Sequence, residues 1–290
     1  MDYPCRREFL KATAILSAGL APVKSQSKPL SRPTQTQPSQ LPTIGVGSHQ
    51  ISRLIIGGNP FSYIAHSEPL IYSNTLFKHY LTPDKIVETL TLARRGGINT
   101  FLGRIDDHTI AFLDLYQQKT GEKMAWIGQT AKKPHRGASQ QEIFSNIKFA
   151  ADQGAIGCYV QGQSADYLVQ ENRISEIYTY LKVIRDYGMI AGIGAHEIQT
   201  IEACEQAGLS PDYYMKTFNR LEYACPDFDR TDKVMRQVSI PWIAFKVLAA
   251  GRLSPKEGFE QALDAGADFL CVGMFDFQVD ENIELSTSLF

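Results

Sequence analysis

The sequence has little of what marks several protein classes. Cysteine is scarce: five in 290 residues, at Cys5, Cys158, Cys204, Cys225 and Cys271. No CxxC pair or Cys/His spacing suggests a zinc site. Neither sign of charge dominates, with 29 Lys/Arg against 31 Asp/Glu and a pI near 6.3. This argues against a nucleic-acid-binding surface. No uninterrupted apolar run reaches the roughly 18 residues of a membrane span, so no stable membrane anchor is expected. The 22 Gly and 14 Pro show no period, which excludes a collagen-like chain. What is present is 43% hydrophobic content in a chain long enough for one large domain or two small ones.

The first residues form a distinct block. Cys5-Arg6-Arg7-Glu8-Phe9-Leu10-Lys11 precedes a short apolar stretch, Ala12 to Ala21. A charged start, apolar middle and small residues near the end make a signal peptide. The Arg-Arg-x-Phe-Leu-Lys pattern resembles the bacterial twin-arginine export signal. It implies the export machinery as a partner and a periplasmic or extracellular destination. An ordinary amphipathic helix or a general secretory signal is the alternative. Residues 22–42 are rich in Pro, Ser, Gln and Thr and lack aromatics, so they read as a flexible linker. The domain is then 43–290. The first 42 residues hold 6 basic and 2 acidic side chains, which leaves the remainder near −6.

From Pro42 onward, short apolar runs alternate with longer amphipathic ones. Eight runs read as strands: Leu54–Gly57, Thr100–Gly103, Ala125–Gln129, Ile156–Gln161, Ile190–Gly194, Tyr213–Phe218, Trp242–Val247 and Phe269–Gly273. Near-continuous apolar runs suit strands buried on both faces. Helical patterns lie between them, at Asp84–Arg95, Gln141–Asp152, Ser175–Tyr187, Ile198–Ala207, Thr231–Gln237 and Pro255–Ala265. Start signals recur at Thr82, Ser139 and Ser254, and glycines close the helices at 96–97, 154, 188, 208 and 266. Eight β/α units predict a single (β/α)8 TIM barrel of the α/β class. An open doubly wound sheet is the alternative. Residues 43–47 and 49–53 suggest a hairpin plugging the barrel bottom.

In such barrels chemistry lies at the C-terminal ends of the strands. Polar residues concentrate there, which points to a small-molecule site. Lys216 and Lys246 are single charges inside apolar strands, where an ammonium is costly unless partnered. Each reads as a Schiff-base nucleophile or proton donor, or else as a structural ion pair. His196, His108 and Asp106 are the acid–base candidates; Asp106 is otherwise a helix cap. Asn59, His66, Arg104, Gln129, Gln161, Asn219 and Asp276 are candidate substrate contacts, Arg104 suiting a carboxylate or phosphate. The aromatic-rich stretch from Phe61 to Tyr80 reads as a lid or as a loop on the rim.

Several segments resemble the aldo-keto reductase superfamily: Val46–Ser62 (VGSHQISRLIIGGNPFS), Gly97–Phe101 (GINTF), Gly192–Gly208 (GIGAHEIQTIEACEQAG), Ala244–Leu253 (AFKVLAAGRL) and Val272–Glu284 (VGMFDFQVDENIE). The resemblance implies the barrel. It also implies NADP as a cofactor, with Phe245, Gly251, Arg252, Gly273, Glu281 and Asn282 as its contacts. A divalent metal is the other cofactor considered, with His196 and Glu197 as ligands beside Asp106, His108 or Asp276; capping of the helix that begins at Ile198 is the alternative for that pair. The family's catalytic Asp, Tyr, Lys and His fall here at Leu102, Asp107, Gln129 or Thr130, and Gln161, so none is kept. The expected activity is therefore acid–base chemistry on a small, sugar-like carbonyl or hydroxyl compound, of isomerase or lyase type. The alternatives are an NADP-dependent oxidoreductase with rearranged catalytic residues and a non-catalytic binding barrel.

Overall fold

The computed structural model describes residues 41–66 and 70–290. The expected leader, 1–21, and residues 22–40 of the expected linker lie outside the described residues. Leu41, placed in that linker by composition, is only 2% exposed and packs in the core. The carbonyl of Pro42 accepts a hydrogen bond from the Arg53 amide at 2.9 Å, so Leu41 and Pro42 belong to the folded domain.

Eight parallel strands close into a barrel: β3 (Leu54–Gly57), β4 (Thr100–Arg104), β5 (Ala125–Gln129), β6 (Gly157–Val160), β7 (Ile190–Ala195), β8 (Tyr213–Thr217), β9 (Trp242–Phe245) and β10 (Phe269–Val272). The order around the barrel follows the chain, and β10 pairs with β3 through Leu270–Leu54, Cys271–Ile55 and Val272–Ile56. This is the (β/α)8 barrel, and the open sheet is excluded. β1 (Thr43–Val46) and β2 (His49–Ser52) form the antiparallel hairpin. Its Val46 and Ile51 join the interior layer with Ile55, Leu102, Ile127 and Phe269, which seals the N-terminal end.

Side chains alternate along each strand. On β8, Tyr213 and Met215 belong to the interior layer, whereas Tyr214 belongs to the layer under the helices. On β9, Ile243 and Phe245 face inward, and Trp242 and Ala244 outward. Fully burying each large side chain contributes about 1.5–3 kcal/mol, so the two layers carry most of the stability. The four described cysteines are all buried and free.

The helix signals operate as read. Ser139 and Ser254 form capping boxes with Glu142 and Glu257, and Thr82 accepts from the Lys85 amide. Gly97, Gly154, Gly188, Gly208 and Gly266 adopt positive φ; Gly96 does not. The helix expected at Thr231–Gln237 runs instead over Phe228–Met235, because the Asp227 side chain caps it three residues earlier. The expected strand ends also shift: β6 stops at Val160 because Gln161 caps the helix Gly162–Gln170. The Phe61–Tyr80 stretch is not simply a loop, since Ser73–Tyr80 is helical. No helix among the described residues is long and apolar enough to cross a membrane.

Candidate active site

A cavity of about 310 Å3 opens at the C-terminal ends of the strands. Its floor is Leu102, Tyr159, Met215 and Cys271, all inward-facing strand residues. One wall is nearly bare backbone at Gly57, Gly58 and Gly103. The bareness is required: a Cβ on Gly58 would come within 2.8 Å of the Phe101 ring and 2.9 Å of Gly103 Cα. Another wall is the turn after β9, Phe245 to Leu248 with Ala250 and Gly251.

Lys246 sets the character of this cavity. It follows the last residue of β9 and has φ +56, a left-handed conformation that lysine adopts only at a cost. A regular strand would send residue 246 outward with Ala244. The left-handed residue breaks that alternation, and Lys246 lines the cavity instead. Its Nζ lies 5.1 Å from the centre of the Tyr223 ring and 3.5 Å from His66 Nε2. No carboxylate among the described residues lies within 4.0 Å of it. Burial alone lowers its pKa to about 8.

His66 completes the pair. Asn59 Nδ2 donates to His66 Nε2 at 3.1 Å, so that nitrogen accepts and the ring proton sits on Nδ1. Burial first, then the charges of Lys246 and His196, push the imidazole pKa down to about 4. His66 is therefore neutral near pH 7. The assembly is held from behind by Asn219, which is fully buried and donates to the carbonyls of Tyr223 (3.0 Å) and Lys246 (3.2 Å). Tyr223 in turn donates its hydroxyl to the His66 carbonyl at 3.0 Å.

The candidates from sequence divide accordingly. Asn59, His66, Arg104, Gln129 and Lys246 line one cavity, with Phe245, Gly251 and Gly273. Gln129 donates to the Tyr159 hydroxyl at 2.8 Å, and burial holds that phenol well above its usual pKa. Lys216 does not reach the cavity. It is fully buried, and its Nζ donates to the carbonyls of His196 (2.7 Å) and Thr217 (3.1 Å) and to Thr217 Oγ1 (3.1 Å). The structure therefore places Lys216 apart from the candidates that line the cavity, with its amine occupied by backbone and Thr217 acceptors. His108 also stands away from the cavity, with its Nε2 donating to the Phe61 carbonyl at 2.8 Å. Asp106 caps the helix Asp107–Thr120 and pairs with Arg104 at 3.0 Å, so the capping reading holds. Gln161 is a cap, Asn219 a brace, and Asp276 pairs with Lys85 and Tyr80; none lines the cavity.

His196 stands just off the cavity, its ring 5.6 Å from that of Phe245. Its Nδ1 lies 3.0 Å from Asp166 Oδ2, and Asp166 also accepts from the His196 amide and from Thr200 Oγ1. Among the cofactor candidates, Arg252 does not line the cavity itself and packs on the Tyr223 ring, 4.8 Å from its centre. Glu281 is exposed and Asn282 is 3% exposed on the last helix, and neither lines the cavity. No group of three His, Cys, Asp or Glu among the described residues could hold a metal ion.

Sequence reasoning missed Tyr223, Tyr159 and Asp166. Tyr159 sits within an apolar strand and was indistinguishable from core. Asp166 was visible only as a charge five residues after Gln161, inside a helix that the periodicity did not single out. Tyr223 lies in an irregular loop between Phe218 and Asp227, where no period applies.

No family model matches the chain, and no curated protein matches it. Solved structures do. One is named "Putative aldo-keto reductase from Pseudomona aeruginosa"; it shares 18% identity over 85% of this chain and 93% of that one, with a TM-score of 0.61. The barrel is aldo-keto-reductase-like. A mutant of Gox0644 in complex with NADPH shares 11% identity over 84% of this chain and 87% of that one, with a TM-score of 0.56. The BexX/CysO complex of Amycolatopsis orientalis shares 13% over 85% and 93%, with a TM-score of 0.53. At these identities the likeness is one of fold.

Proposed function

We propose that the chain is an NADP-dependent oxidoreductase acting on a small carbonyl or hydroxyl compound, with its catalytic groups rearranged relative to aldo-keto reductases. The observation that carries this reading is Lys246: an ammonium with a pKa near 8, facing a cavity in a barrel whose structural neighbours include an NADPH complex. The residues at the mouth fit the nicotinamide end of such a cofactor. Phe245 offers a ring at the wall, and a Cβ on Gly251 would meet nothing within 4 Å, so bare backbone is open to an incoming group. Arg252 supplies a cation beside it. Glu281 and Asn282 stand away from the cavity and are left out of this set.

When bound, the cofactor supplies or takes up a hydride. The chain's part is proton transfer and orientation. Lys246 Nζ donates a proton to the oxygen of the carbonyl, a role that a pKa close to the working pH favours. Asn59 and Gln129 orient the substrate through its polar groups. Leu102, standing at the family's Asp position, can do neither. Arg6-Arg7 and the following apolar stretch support export of the folded protein by the twin-arginine route, after which it would work outside the cytoplasm.

Titrating the protein with NADPH and following energy transfer from Trp126 and Trp242 tests the reading. Saturable transfer is expected, weakened about tenfold by Arg252→Ala, as the loss of about 1.4 kcal/mol implies. Fluorescence that stays flat up to millimolar NADPH overturns it.

A further inference from the structure

We propose that Lys246 is also a nucleophile: its neutral amine condenses with aldehydes and ketones that enter the cavity and forms an imine on Nζ. The inference goes beyond the oxidoreductase reading, because it needs no nicotinamide.

Three independent features of the site carry it. The first is what surrounds Nζ. Lys216, one strand away, has two carbonyls and a hydroxyl within 3.1 Å. Lys246 has one polar neighbour, His66 Nε2 at 3.5 Å, and no carboxylate within 4.0 Å among the described residues. The Tyr223 ring, 5.1 Å away, is the other described group that faces the ammonium, and burial brings its pKa to about 8. The second is backbone geometry. Lys246 holds φ +56, braced by Asn219 through the Lys246 carbonyl. Such a conformation persists only where the surroundings impose it, and here it turns the amine from the helix layer to the cavity. The third is the cavity itself. Leu102, Met215 and Cys271 make an apolar floor, and the bare backbone at Gly57 and Gly58 lines the same cavity as the amine, which leaves room for a small carbonyl compound.

The step balances without an oxidant or reductant. The Nζ lone pair attacks the carbonyl carbon, and the π pair moves to oxygen. The nitrogen sheds a proton to His66 Nε2, which is neutral and lies within reach, and His66 passes that proton to the oxygen to give a neutral carbinolamine. A solvent proton then lets the hydroxyl leave as water as the nitrogen lone pair closes the C=N bond, which gives the protonated imine; release of its N–H proton returns the solvent proton. The sum is one carbonyl and one amine to one imine and one water. While protonated, the imine draws electrons from the neighbouring carbon.

The two roles of Lys246 have opposite pH signs. Proton donation needs the ammonium and falls as pH rises through about 8; condensation needs the amine and rises through the same value.

The experiment is reductive trapping. The full-length protein, without nicotinamide, is incubated with glycolaldehyde and cyanoborohydride, and labelled peptides are mapped by mass spectrometry at early times across pH 6–10. Near neutral pH a lysine of pKa about 8 holds roughly a hundredfold more free amine than an ordinary one. The Lys246 peptide is therefore expected to label at least about tenfold faster than that of the exposed Lys256, with a half-maximum near pH 8. Lys246→Arg should remove that label alone, and His66→Phe should slow it while leaving the Lys256 rate unchanged. Labelling of Lys246 no faster than Lys256, or a rate that does not rise through pH 8, overturns the proposal. Flat fluorescence with NADPH alongside fast trapping would sink only the oxidoreductase reading; saturable NADPH binding with no preferential trapping would sink only this one.

Discussion

Lys216 sits on β8 and Lys246 just past the end of the neighbouring β9, in sequence contexts that read alike: YYMKTF and WIAFKVL. The structure makes them opposites. Lys216 continues the regular alternation of β8, falls on the side of Tyr214, and is sealed under the helices with its hydrogen-bond donors occupied. Lys246 is turned by one left-handed residue into a cavity where its described neighbours are His66 and the Tyr223 ring. Whether a strand-borne lysine is architecture or chemistry is thus decided by the backbone at the strand end and by how many acceptors lie within reach.

The sharpest way to break this contrast is to shorten both side chains. Lys216→Ala empties a fully buried site and should cost about 2–4 kcal/mol of stability by chemical denaturation. Lys216→Met fills most of the volume and should cost less than about 1.5 kcal/mol. The His196 carbonyl keeps Thr217 Oγ1 and the Thr217 carbonyl keeps Cys225 Sγ as donors, so neither is orphaned. Lys246→Ala should change stability by less than about 1 kcal/mol while removing the trapping reaction. A Lys216→Met variant as damaged as Lys216→Ala would show that the charge, not the volume, matters there.

The barrel was legible because its determinants are local and repeated. Capping serines, closing glycines and apolar runs are each read within a few residues, and eight repetitions leave one architecture. Lys246, His66 and Asn59 were legible as a list, because barrel chemistry sits at strand ends. Their division from Lys216, His108 and Gln161 was not. His108 and Gln161 are consumed by a carbonyl 47 residues away and by a local cap, and sequence does not display which donor finds which acceptor. Tyr223 and Asp166 act through loop placement and through contacts 30 or more residues apart, which no periodicity encodes.

The second contrast is electrostatic. His66 is held neutral in the folded protein down to about pH 4, whereas an unfolded histidine takes up its proton near 6.5. Between those values the unfolded chain binds more protons, so stability rises with pH across the window and falls on acidification through it. With solvent screening, the expected loss from pH 6.5 to 4 is about 1–2 kcal/mol. Denaturation curves of the wild type and His66→Phe across that range check this. The variant should have a correspondingly flatter slope, and equal slopes would mean that His66 is not shielded in the way its burial implies. Lys246 acts at the other end: its folded pKa is below the unfolded value, so its penalty is present below about pH 8 and relieved as pH rises toward 10.5.

The smallest effect probes the brace that separates the two lysines' surroundings. Lys216 is locked by its own strand and by His196, so changes in the loop after β8 should leave it in place. Lys246 shares its brace with that loop: Asn219 holds both carbonyls, Lys246 stands over the Tyr223 ring, and the Tyr223 hydroxyl ties down His66. Tyr223→Phe removes the hydroxyl's bond to the His66 carbonyl at a partly exposed site and keeps the ring, so the loss of that bond should cost about 1 kcal/mol. Its consequence for chemistry should exceed that figure. With the His66 carbonyl released, Nε2 no longer stands at a fixed distance from the amine, and trapping at Lys246 should slow several-fold while the labelling of Lys256 is unchanged. An unaltered trapping rate together with the stability loss would mean that His66 is held by Asn59 alone, and that Tyr223 serves only as a face for the lysine and for Arg252.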